Sequence, residues 1–103
     1  MRVLCHWIAV VVLLGAAGTA RADYDLVVKK NCLACHQIEK RKYGPNFKEV
    51  AAKYADQKNA AEVLAKKIRR GGTGVWGEDV MPPQPQVSAT EARALANYVL
   101  SVK

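Results

Sequence analysis

Two thiols and an imidazole stand within five consecutive residues, Cys32-Leu33-Ala34-Cys35-His36, and no other feature of the chain narrows its fold as much. Cysteines three positions apart fall on one side of a single helical turn, and the histidine after the second projects from the end of it. The spacing C-x-x-C-H is the pattern of covalent haem attachment. The two sulfurs form thioethers with the vinyl groups along one porphyrin edge, and the following imidazole can supply a nitrogen to the iron. On this reading Cys32 and Cys35 tether one haem c, and His36 is an axial ligand.

Which rival chemistries remain depends on the start of the chain. Arg2 is followed by the apolar run Trp7 to Leu14 and then by Ala20-Arg21-Ala22 in front of Asp23, the order of a secretory signal with a small-x-small cleavage site. The rival is an uncleaved anchor, but the apolar run is shorter than the ~20 residues a spanning helix needs. Residues 1–22 are therefore expected to be a cleaved signal peptide and residues 23–103 a single exported domain, in the periplasm and with no stable membrane insertion after cleavage. Cys5 and His6 would leave with the leader.

The remaining domain holds fourteen basic and nine acidic residues, a formal charge of +5, with one histidine and two cysteines, all three in the motif. A chain of this size buries only ~60% of its unfolded surface and often leans on a disulfide, metal or cofactor. Zinc would want a second pair of Cys or His ligands away from the motif, and the domain has none. A thioredoxin-like dithiol would sit near a β-α-β pattern, and the chain has no convincing strand run. A structural disulfide suits an oxidising compartment, but closing so short a loop stabilises little.

A second iron ligand must come from elsewhere, because no second histidine survives cleavage. Met81 is the one methionine of the exported domain and lies 45 residues beyond His36, in Val80-Met81-Pro82-Pro83-Gln84. Adjacent prolines stiffen that stretch and remove amide donors. A lone methionine is ordinarily core filler. Beside a C-x-x-C-H site in a one-histidine domain it reads instead as the second axial ligand, whose soft sulfur stabilises ferrous iron and raises the reduction potential. The alternative is a five-coordinate iron open to a gas or a peroxide.

Helical signals dominate. The periodicity predicts helices from Asp25 to about Ala34, from Phe47 to Tyr54 with Asn46 as cap, from Asn59 to the Gly71-Gly72 stop, and from the capping-box pattern Ser88-Ala89-Thr90-Glu91 to the end. The segment 71–87, containing Trp76 and Met81, is expected to cover the haem. The fold class is all-α, four short helices around one covalently bound cofactor.

These residues in this order resemble the small bacterial class I c-type cytochromes, most closely the c-551/c-552 type. The likeness runs through the whole exported domain: the leading helix, CLACH, YGPNFKEVAAKYA, IRRGGTGVWGEDVMPPQ and the terminal helix ending YVLSVK. It implies the class I cytochrome c fold with His36 and Met81 axial. It further implies that the Pro45 carbonyl accepts a hydrogen bond from the other nitrogen of His36, that Trp76 and Lys67 bind the inner haem propionate, and that Gln84 stands where an amide approaches the methionine sulfur. Three departures are visible: Asn31 replaces a common glycine, Tyr98 a frequent tryptophan, and 84–87 is one residue longer than usual. Asparagine tolerates left-handed backbone angles, so the turn before Cys32 can survive.

A six-coordinate haem passes electrons without bond making, so the expectation is a one-electron carrier and not an enzyme. A haem enzyme would need an open iron position with an acid-base group above it, and no second histidine is there to supply one. The basic residues include Lys29, Lys30, Lys40, Arg41, Lys42, Lys48 and Lys53, several of them flanking the expected attachment site; positive potential of this kind speeds transient encounter with acidic patches on redox proteins. A monomer is expected, and nucleic acid is excluded as a partner because no basic recognition motif accompanies the charge. By resemblance the partners are a quinol-oxidising complex and a nitrite reductase or terminal oxidase.

Overall fold

The computed structural model describes residues 17–103; the apolar run Trp7 to Leu14, with Cys5 and His6, lies outside the described residues. Among the described residues four α-helices follow one another: α1 (Ala17–Lys29), α2 (Phe47–Tyr54), α3 (Ala60–Arg70) and α4 (Ala89–Ser101), with a 3-10 turn at Cys32–Ala34 between α1 and α2. The expected run of the first helix to Ala34 is corrected. The α-helix stops at Lys29, because Asn31 takes φ 64° and ψ 26°, the left-handed conformation that ends helical hydrogen bonding.

Helices α2 and α4 begin on full capping boxes. The Asn46 side chain accepts the Glu49 N–H at 2.7 Å while the Glu49 carboxylate accepts the Asn46 N–H at 2.9 Å, and Ser88 and Glu91 repeat the exchange at 3.1 and 3.0 Å. Each satisfies two amides that a bare helix start leaves unpaired. Val87, just before the Ser88 cap, and Ala92, four residues after it, are both in the core, the placement of a hydrophobic staple. Helix α3 lacks such a cap, since Asn59 accepts instead from the Gln57 side chain at 3.1 Å.

Helix α4 is the hub, packed against α1, α2 and α3. Its buried face is Ala92, Leu95, Ala96 and Val99, spaced three and four apart as one helical face must be. The alanines let neighbours approach closely, and the core is completed by Val27, Phe47, Val50, Tyr54, Ala60, Leu64 and Val87. Among the described residues, extended pairing is limited to an isolated antiparallel bridge between Gly72 and Met81.

Candidate haem site

The 3-10 turn delivers the motif. Cys32 is half-buried and Cys35 exposed, both as free thiols. Burial pushes the Cys32 thiol above its ordinary range, the opposite of the lowered value a dithiol redox catalyst needs. The chain then bends so that the Gly44 N–H donates to the Cys35 carbonyl at 2.8 Å and the Phe47 N–H to the Gln37 carbonyl at 2.9 Å.

This return fixes His36. Its Nδ1 lies 2.8 Å from the Pro45 carbonyl oxygen. A carbonyl can only accept, so Nδ1 carries the proton and Nε2 keeps a free lone pair, the tautomer a metal-bound imidazole requires. Gly44 makes room for the ring: a Cβ at this position would stand 2.6 Å from Nδ1. The Phe47 ring is stacked on the imidazole, 5.5 Å between centroids.

Met81 is fixed by different means. Its N–H donates to the Gly72 carbonyl at 2.9 Å, and its carbonyl accepts the Gly72 N–H at 3.0 Å. The thioether-bearing residue is thereby pinned to the chain just beyond α3, and the Gln84 N–H, bonded to the Ile68 carbonyl at 3.1 Å, holds the segment after Pro82-Pro83 to the same helix.

Between these supports lies a cleft of about 380 Å³ lined by all seven expected site residues, Cys32, Cys35, His36, Pro45, Lys67, Trp76 and Met81. Its volume falls in the ~300–1,000 Å³ range of formed ligand pockets. The rest of the lining is largely aliphatic, with Val27, Leu64, Ile68, Leu95, Ala96 and Val99, which suits a flat apolar macrocycle. Two thiols at one end, one imidazole with a free lone pair and one thioether form a donor set that fits haem c.

Other placements differ from what the resemblance implied or go beyond it. Gln84 lines the cleft, but its amide nitrogen donates to the Pro82 carbonyl at 2.9 Å and its oxygen accepts from Gln86 at 2.7 Å. Trp76 receives Arg41 on its carbonyl oxygen and Lys53 over its ring at 5.4 Å. Lys30 is not a free surface cation: its Nζ donates to the Gln86 carbonyl at 2.8 Å and pairs with Glu91 at 3.1 Å. Sequence reasoning missed Gly44, Phe47 and the Gly72 bridge. The glycine before Pro45 was the one local signal available for them.

The description "Cytochrome c" covers the family whose model matches residues 24–103. The cytochrome c-552 of Nitrosomonas europaea is 53% identical over 87 residues, 84% of either chain. That of Hydrogenobacter thermophilus is 46% identical over 93 residues, 90% of this chain and 94% of that one. The crystal structure of wild-type Nitrosomonas europaea cytochrome c552 superposes with a TM-score of 0.76 at 51% identity, over 78% of this chain and 99% of the other. The cleft and these likenesses agree: the chain belongs to the cytochrome c family, whose members hold haem c covalently at the C-x-x-C-H positions occupied here by Cys32 and Cys35 and transfer electrons instead of catalysing a reaction.

Proposed function

We propose that residues 23–103 act as an exported one-electron carrier of the c-551/c-552 type, with His36 and Met81 as the axial ligands of its haem and residues 1–22 removed as a signal peptide. The observation that carries the ligand assignment is the independent pinning of two soft or borderline donors on one apolar cleft. His36 is oriented by Pro45 and Gly44, and Met81 by Gly72. The bound haem supplies a reversible one-electron couple; the protein's part is to hold both donors still and keep water off them. Half-buried Lys67 and Trp76 on the same cleft are proposed to receive the inner propionate.

The export reading is supported by the start of the family match at residue 24, one residue inside the expected cleavage point. Among the described residues no helix is long and apolar enough to cross a membrane. Partners are proposed to dock at the cleft mouth, where Tyr43, Val75 and Val80 are 65%, 41% and 68% exposed. Lysines around this apolar lip would steer acidic redox proteins, such as a quinol-oxidising complex on one side and a nitrite reductase or terminal oxidase on the other, into transient contact.

Mass spectrometry of the exported protein tests the first part: the expected mass is that of residues 23–103 plus one haem, and a retained leader or a bare polypeptide refutes it. Optical titration tests the second. The oxidised protein should show a weak near-infrared sulfur-to-iron band and the reduced protein should refuse carbon monoxide at neutral pH. Ready carbon monoxide binding would point to an open iron position and to sensing or catalysis.

A further inference from the structure

The imidazole of His36 is bounded by more than a hydrogen bond and a glycine. Phe47, the first residue of α2, lies against it with ring planes 28° apart and is only 4% exposed. Phe47 is itself held from the far side of the core: Tyr98 of α4 stands edge-on to it, 6.3 Å between centroids and 86° between planes. Tyr98 in turn meets Tyr24 of α1 at 6.1 Å.

We infer that Phe47, backed by Tyr98, is a positioning residue for His36: its ring fixes the rotation of the imidazole and through it the strength of the hydrogen bond to Pro45. The inference rests on His36 being an iron ligand. The physical reason lies in the torsion that remains soft. Rotation of a histidine ring about its last bond has a broad, two-fold profile, and a carbonyl accepts over a broad range of directions. The Pro45 bond alone therefore tolerates a swinging ring. The backbone of Gly44 limits the ring beside Nδ1, and a flat aromatic face limits the swing that remains.

The consequence is electronic. A firm bond from Nδ1–H to a carbonyl makes the imidazole a more basic donor, which favours the more highly charged, ferric iron. A loosened ring bonds Pro45 less well and favours the ferrous state. An aliphatic side chain can replace the burial of Phe47 but not its flat face.

The test compares holoproteins of the wild type, Phe47→Leu, Phe47→Tyr and Val87→Ala; Val87 is a buried core residue that does not line the cleft. In redox titration Phe47→Leu is expected to move the reduced-to-oxidised ratio about threefold toward reduced at a fixed applied potential, about 28 mV at ~59 mV per tenfold for one electron. The His36 ring resonances shifted by the oxidised iron should move with it. Phe47→Tyr, which keeps the ring, and Val87→Ala, which only loosens the core, should leave both readouts near wild type. Should Phe47→Leu fail to hold its haem, Tyr98→Leu removes the backing and is expected to shift the ratio in the same direction by a smaller amount. The inference is overturned if Phe47→Leu melts earlier yet keeps the wild-type ratio and resonances, or if Val87→Ala shifts them equally. A wild-type protein with no iron-shifted imidazole resonances would sink the ligand assignment itself, a different and separately visible failure.

Discussion

Gly71 passes so close to the Met81 carbonyl oxygen that no side chain fits between them. A Cβ on Gly71 would also come within 3.0 Å of the Pro83 nitrogen. The residue ends α3 with φ 79° and ψ −178°, a combination essentially restricted to glycine. The end of one helix and the backbone of the proposed thioether ligand are therefore a single structural unit, and its tightest point is a missing side chain.

Gly71→Ala is expected to lower stability by about 1–3 kcal/mol through backbone strain alone, and to displace Met81 as the chain moves to relieve the collision. Thermal unfolding reads the first effect. The second should appear as a weakened near-infrared sulfur-to-iron band in the oxidised holoprotein, whereas a destabilised variant with an unaltered band would show that Met81 does not depend on this contact.

Met81→Ala removes the soft donor and should lower the reduction potential by more than the ~59 mV that marks a tenfold change in the one-electron equilibrium. The reduced variant should also bind carbon monoxide. An unchanged titration would count directly against Met81 as a ligand.

How much of this was legible in the sequence follows the range of each interaction. Signals carried by residues three or four apart were readable: the Asn46 cap and the Ser88 capping box stand where their patterns put them, and the C-x-x-C-H run lies on one short turn. Contacts between distant residues were not. Nothing local announces that Met81 pairs with Gly72, that Phe47 stacks on His36, or that Lys30 reaches Gln86 and Glu91 across 56 and more positions. The first helix shows a local cue outweighed by pattern. Asparagine's tolerance of left-handed angles was visible at position 31, yet apolar periodicity carried the expected helix through it to Ala34, and the backbone obeyed the asparagine.

Position 31 gives a third test. The left-handed conformation costs an ordinary L-residue about 1–2 kcal/mol, and the Asn31 side chain makes no capping bond that a substitution would forfeit. Asn31→Gly should leave the melting temperature near wild type, while Asn31→Val should lower it by roughly 4–16 °C for a domain of this size. Equal Tm values for the two variants would mean that the turn before Cys32 is not strained.

The last prediction concerns acid. The Glu91 carboxyl is held below its ordinary value, first by the backbone N–H of Ser88 and then by the Lys30 side chain. Because the folded value is the lower one, the carboxylate stabilises the fold at any pH above its unfolded value near 4.5, and that contribution disappears as pH falls through the folded value. The pair also joins the segment after α1 to the start of α4 through the Gln86 carbonyl, beside the turn that carries the haem thiols. Glu91→Gln should therefore unfold more readily than wild type at neutral pH, and the gap between the two should close as pH drops below about 4.5. Denaturant midpoints measured every half unit from pH 7 to 3 decide the matter. A gap that stays constant across that range would show that the loss comes from the amide's geometry at the helix start and not from the missing charge.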